Sequence, residues 1–154
     1  MKKLFFVAIL ALGLSSFAEA QVNDRAIGGR FGWGGELSYQ HPLSSTTRLE
    51  ADLGLYGWGG GGDFVLTGIH QWLFAPNGGF NLFAGLGPQL GSYWWGSEDR
   101  HTFGLGVAGQ FGMEYNFDEV PLQLSLDWRP SWSIIPSGRG FGYQGFGFGI
   151  RYRF

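Results

Sequence analysis

Ten charged residues of this chain fall at alternate positions within otherwise apolar segments: Arg30, Glu36, Arg48, Glu50, Asp52, Glu114, Asp127, Arg129, Arg151 and Arg153. Five are guanidinium groups and five are carboxylates. Charge at a period of two places these side chains on one face of extended strands, with a different environment behind the other face. Two kinds of chemistry suit such a set. Enclosed acids and bases can relay protons or ions, or form an active site with perturbed proton affinities. Alternatively they are structural ion pairs that fill an interior. An unpaired charge in a dry interior costs several kcal/mol, so near-equal numbers are what a structural plug requires. The cation type agrees. Lys2 and Lys3 are the only lysines, and every later basic residue is Arg, whose planar, always charged head suits fixed and buried pairing. The balance favours the plug.

Other chemistry finds little support. The histidines are His41, beside Pro42 in a turn, His70 within a strand, and His101 at a strand start. None forms a nucleophile–base arrangement, and no spacing of metal ligands appears, so no catalytic, metal or cofactor residue is assigned. Gly104-Leu105-Gly106-Val107-Ala108-Gly109 imitates a dinucleotide loop, but it lies inside an alternating strand with no helix after it. There is no cysteine and therefore no disulfide or thiol chemistry. A formal charge of −2 without any basic stripe argues against nucleic acid as a partner.

Strands must position these charges, and the alternation recurs along the chain. Leu49, Ala51, Leu53 and Leu55 oppose Arg48, Glu50, Asp52 and Gly54. Leu122, Leu124, Leu126 and Trp128 oppose Gln123, Ser125, Asp127 and Arg129. From Phe103 to Phe117 the odd positions are apolar except Gly109, and the even ones are Gly, Ala or polar. Phe80 to Ser92 repeats the pattern. In Phe64 to Phe74 the outward set Phe64, Leu66, Trp72 and Phe74 puts Thr67 and Gln71 inside, and it also turns His70 outward. The last strand, Phe141 to Phe154, sets Phe146, Phe148, Ile150, Tyr152 and Phe154 against Gly145, Gly147, Gly149, Arg151 and Arg153. Broad aromatic faces backed by charge fit a wall between lipid and a polar interior. The same alternation pointing inward would describe a soluble, lipocalin-like periplasmic binding barrel; the charged opposite faces and the lack of surface lysine weigh against it.

Residues 1–20 read as a secretory signal: Lys2 and Lys3, an apolar core from Leu4 to Leu14, and the small-x-small site Ala18-Glu19-Ala20. The remaining 21–154 form one domain. No apolar run in it is long enough for a membrane helix, so a membrane location requires a closed barrel. Short turns are expected at His41–Thr46, Ala75–Gly79 and Asp118–Val120. Longer loops are expected at Gly57–Asp63, Ser92–Arg100 and Trp132–Gly140. Ala26 to Gln40 keeps one parity throughout, as one long strand would. A spanning strand needs only about 9 to 11 residues, and both termini should lie on one side. These arguments divide the segment into two strands with a turn at Trp33-Gly34-Gly35. The result is an all-β fold: an eight-stranded, antiparallel, up-and-down transmembrane β-barrel.

The ending Gly-Phe-Gly-Ile-Arg-Tyr-Arg-Phe resembles the C-terminal sorting signal of bacterial outer-membrane barrels, with Ile150, Tyr152 and Phe154 as its alternating positions. The chain as a whole resembles the small eight-stranded barrels of the OmpX and OmpA-barrel kind. Glu36-Leu37-Ser38-Tyr39-Gln40-His41-Pro42-Leu43, Arg48-Leu49-Glu50-Ala51-Asp52-Leu53-Gly54 and Pro121 to Pro130 look more specifically like short barrel proteins of Bacteroidetes outer membranes. The resemblance implies a Gram-negative outer-membrane location, outer-membrane lipid as surroundings, and the barrel-assembly machinery as a partner during insertion. No peptidoglycan-binding domain of the OmpA type is expected after Phe154. Activity is not implied, since fold does not fix function. His41-Pro42-Leu43-Ser44 departs from the His-x-Ser arrangement of outer-membrane lipid A deacylases. The expected role is therefore non-enzymatic, structural or surface-interacting, with a lipid-modifying enzyme near the outer rim as the alternative. Trp94 and Trp95, beside Glu98, Asp99 and Arg100, are the candidate outer-loop contacts for lipid headgroups or for an extracellular ligand or protein.

Overall fold

The computed structural model describes residues 24–32, 34–56, 63–77, 79–94, 101–135 and 145–154. The signal segment with its cleavage site, and Trp95, lie outside them. Nine strand segments are present among the described residues: β1 (Ala26–Phe31), β2 (Gly35–Pro42), β3 (Thr47–Tyr56), β4 (Asp63–Asn77), β5 (Phe80–Trp94), β6 (His101–Asn116), β7 (Leu122–Trp128), β8 (Ser131–Ile135) and β9 (Phe146–Arg153). Consecutive strands from β1 to β7 pair antiparallel, β7 pairs with β9, and β9 returns to β1. The sheet closes on itself with no free edge along β1.

β7 and β8 are two halves of one wall strand. Trp128 stands opposite Phe111 and Ser131 opposite Ala108 on the same partner, β6. Between them the Pro130 carbonyl still accepts the Gly109 N–H at 2.9 Å. The break has a local cause. Proline brings no N–H to a ladder, and the Arg129 N–H is turned to Gly145 O at 2.7 Å. Counted this way the barrel has eight strands. This strand runs on to Ile135, past the expected end at Ser131, so part of the expected Trp132–Gly140 loop is wall. β4 likewise continues to Asn77 and β5 to Trp94, which shortens the expected turn and loop there. Among the described residues the last strand begins at Phe146; residues 141–144, where its start is expected, lie outside them.

The first hairpin turns one residue earlier than expected: Gly35 already belongs to β2, opposite Phe31, and the Gly32 N–H bonds to Gly34 O at 3.0 Å. Its unbroken parity has a geometric reason. Opposed residues of an antiparallel pair point to the same face. A connection of three residues separates them by an even number, so the odd–even pattern carries through the turn unchanged. Two-residue turns would have reversed it.

The hydrophobic pattern is inverted relative to a soluble protein. Glu50, Ser38 and Gln71 are fully buried, whereas Leu55 and Phe146 are more than two-thirds exposed. Leu, Ile, Val and aromatic residues make up most of the outward positions of the described strands. His70 faces outward with Trp72, and Thr67 and Gln71 face inward. The aromatic rings gather at both rims. Phe31, Phe64, Phe103, Trp132 and Phe146 lie toward the end that carries residues 57–62 and 95–100. Tyr39, Trp72, Phe80, Tyr115 and Tyr152 lie toward the short turns. A continuous exposed apolar belt of this extent marks a lipid or protein contact surface.

The short turns are built locally. In the β2–β3 turn, the Leu43 and Ser44 N–H groups bond Thr47 O at 2.9 and 3.1 Å, and the Ser44 hydroxyl meets that of Thr47 at 2.7 Å. The β4–β5 turn uses Gly79 at φ 81°, a left-handed conformation that glycine adopts without steric cost.

Candidate functional site

Nine of the ten predicted charged residues converge inside the barrel. Arg30 of β1 grips Asp127 of β7 through Nε at 3.0 Å and Nη2 at 2.7 Å. Its Nη1 reaches Glu36 of β2 at 3.1 Å. Its Nη2 also donates to Gly145 O at 2.8 Å. Arg129, at the β7–β8 break, is the hub. Nη1 holds Glu36 at 2.8 Å, and Nη2 holds both Glu50 at 2.9 Å and Asp52 at 2.6 Å. Arg151 of β9 takes the other oxygen of Glu50 at 3.1 Å and donates to Ser38 and Ser125, each at 2.8 Å. Arg48 of β3 pairs with Glu114 through two nitrogens and lies over the Phe83 ring, 5.4 Å from its centroid.

Neutral side chains complete the network. Gln40 and Gln110 donate to the two oxygens of Glu50 at 2.6 and 2.9 Å, and Gln71 donates to Gln110 at 2.6 Å. Asn81 bonds Glu114 at 3.1 Å. Gln40, Ser38 and Gln110 were not among the predicted site residues. They share the parity of the charged set but carry no charge.

The inward glycines of β9 make this packing feasible. A Cβ on Gly147 would overlap the Arg30 guanidinium, 2.5 Å from Nη2, and one on Gly149 would overlap Ser125 Oγ. At Gly147 and Gly149, β9 presents bare backbone to the interior, and the guanidinium groups of Arg30 and of its own Arg151 lie against it.

The network is not evenly compensated. Four guanidinium groups and five carboxylates are buried together. Asp127 and Glu114 each have an arginine that binds them through two nitrogens. Glu50 is shared by Arg129 and Arg151, and Glu36 by Arg30 and Arg129. Asp52 has only its part of Arg129, and its Oδ1 meets no hydrogen-bond donor. Arg129 Nε is likewise without an acceptor.

The tenth residue, Arg153, stands apart from the interior set. It sits at the turn-side rim with its side chain 21% exposed, 3.5 Å from Asp24 and bonded to Phe117 O at 2.6 Å. The interior parity still holds for it, but the barrel ends there. Ile150, Tyr152 and Phe154 occupy the outer face, all exposed, with the Tyr152 and Phe154 rings stacked 6.4 Å apart. Trp94 closes β5 opposite His101.

This arrangement can do little chemistry on a substrate. Each described interior carboxylate is held by an arginine, and the groups are bonded to one another rather than directed at a shared space. Among the described residues no cluster of His, Cys, Asp or Glu is arranged to hold a metal ion.

No protein-family model matches the chain, and no curated protein is similar to it. A solved structure is similar: the N-terminal β-barrel domain of Pseudomonas aeruginosa OprF, with a TM-score of 0.62 at 13% identity. The match covers 85% of this chain and 96% of that one. At this identity the likeness speaks for the fold, a closed antiparallel eight-stranded barrel.

Proposed function

We propose that this protein is a non-enzymatic integral barrel of the bacterial outer membrane, exported by residues 1–20, whose interior is sealed by ion pairs. Its role is structural or surface-interacting, with contacts made by the longer connections at 57–62, 95–100 and 136–144. One observation carries the reading: charge is buried inside the closed wall, and large apolar side chains are exposed all around it. A surrounding of lipid makes that inversion favourable, since water would leave the apolar belt unsatisfied and bilayer hydrocarbon accepts only closed sheets or helices. A lipocalin-like binding role would require the opposite facing. The specific likeness to OmpX-type and Bacteroidetes barrels belongs to this proposal as well.

The experiment is fractionation followed by electrophoresis of boiled and unboiled membrane samples. A mobility shift on boiling, with the protein in the outer-membrane fraction, is expected of a detergent-resistant barrel. Soluble periplasmic protein without a shift would refute the reading. Planar bilayers loaded with the purified barrel should show no stable conductance, because the network spans the interior from Arg30 to Glu114.

A further inference from the structure

The outer wall carries no Asp, Glu, Lys or Arg among its described side chains, but two of its histidines stand close together. His41 of β2 and His70 of β4 both stand opposite Leu49 of β3, one on each side. The Tyr39 hydroxyl lies 3.2 Å from His41 Nδ1, and the Trp72 ring meets His70 edge-on at 4.7 Å. Thr47 stands opposite Trp72. Three adjacent strands thus present two imidazoles, a phenol, an indole and a hydroxyl around one leucine. With the Tyr39 hydroxyl donating to Nδ1, the other ring nitrogen of His41 carries its proton and is a donor.

The wall on the loop side of this cluster is shaped differently from its surroundings. Ala51 and Gly68 stand side by side there, followed by Leu53 and Leu66. A Cβ built on Gly68 would find no atom within 4 Å. The pair forms a shallow trough between the Leu49–His70 and Leu53–Leu66 rows, flanked by Tyr39 across from Ala51. Depth also fits. Leu49 is two residues from the strand start at Thr47, about 5 Å along the membrane normal for a tilted strand, which is headgroup depth.

We propose that the β2–β3–β4 wall is a binding site for one phospholipid of the periplasmic leaflet, since in outer-membrane barrels the short turns lie on the periplasmic side. His41, His70 and Thr47 hold its phosphate, the Tyr39 hydroxyl fixes the His41 ring, and an acyl chain lies in the Ala51–Gly68 trough. The proposal rests on the outer-membrane reading above. Hydrogen-bond donors suit phosphate oxygens, and the described side chains elsewhere on the wall include no second pair of neighbouring histidines.

The test uses the full barrel in detergent, with its mobility shift on boiling established first; absence of that shift would sink the outer-membrane reading before any lipid is added. Histidine ring resonances are followed by NMR during titration with phosphatidylglycerol, diacylglycerol and inorganic phosphate. The His41 and His70 signals should move together and saturate with phosphatidylglycerol alone. Equal movement with diacylglycerol would reduce the contact to greasy packing, and saturation by inorganic phosphate would make it a free-anion site; either overturns the proposal. In native mass spectrometry the double variant His41→Asn/His70→Leu, and separately Gly68→Leu, should retain at least ten-fold less phosphatidylglycerol than the parent while keeping the mobility shift. Undiminished retention would equally overturn it.

Discussion

Replacing Arg129 should damage this barrel far more than neutralising the carboxylate beside it. Arg129 is buried and holds Glu36, Glu50 and Asp52 at 2.6–2.9 Å. In Arg129→Gln, Glu36 keeps Arg30 and Glu50 keeps Arg151, but Asp52 keeps no cation. Breaking a buried pair in this way costs about 3–5 kcal/mol, because the orphaned charge stays desolvated. Asp52→Asn removes the odd carboxylate instead. Glu50 and Asp52 bind the same nitrogen of Arg129 and so lie roughly 5 Å apart, which at an effective dielectric of 20 is about 3 kcal/mol of repulsion. The lost attraction to Arg129 is of similar size, about 4 kcal/mol at 4 Å. The two nearly cancel, and asparagine retains an acceptor for Nη2. Asp52→Asn should therefore lie within about 1 kcal/mol of the parent, and the double variant should recover a large part of the Arg129→Gln loss. Urea unfolding in phospholipid vesicles, read by tryptophan fluorescence, measures all three. An Arg129→Gln barrel as stable as the parent would refute the reasoning, as would Asp52→Asn costing as much as Arg129→Gln.

Three further outcomes follow from the same structure. Gly147→Ala should cost about 1–3 kcal/mol in that unfolding assay by overpacking, because its Cβ would displace the Arg30 guanidinium from Asp127. Leu53→Arg, on the lipid face, should cost about 2–4 kcal/mol in vesicles, while Leu53→Ile should change little. Intact-mass measurement of the exported protein should give a chain beginning at Gln21.

Much of the barrel was legible because a closed wall imposes one rule on every strand. Period-two alternation sorted Arg30, Arg48, Glu50, Asp127 and Arg151 to the inside without any knowledge of partners. It could not say which arginine meets which acid, because the partners come from strands far apart in the chain: Arg30 reaches Asp127 and Arg129 reaches Glu50. Nor could it show that Arg129 would be a hub. That role depends on the Pro130 break, which lies within a strand that parity alone treats as uninterrupted. The 26–40 segment shows the opposite limit. Its parity looked like a single strand only because a three-residue turn preserves odd and even. Arg153 obeyed the rule and still fell outside the network, since alternation gives a face and not a height along the barrel axis.

The meeting of β1 and β9 has a consequence for how the chain reaches this state. Ala26 pairs with Arg153 and Phe31 with Phe148, and the backbones of Arg25 and Phe154 exchange two hydrogen bonds, at 3.1 and 2.8 Å. The seam therefore joins the two ends of the domain, the most distant contacts in the sequence, and such contacts form slowly because chain entropy is spent before they add stability. Until they form, two rows of backbone N–H and C=O groups stand open, each unfavourable by several kcal/mol in hydrocarbon. If the barrel resides in the outer membrane as proposed above, closure and burial in the bilayer are one coupled event. Once complete, escape demands that a whole seam open together, and persistence in the membrane becomes a matter of a high unfolding barrier rather than of equilibrium alone.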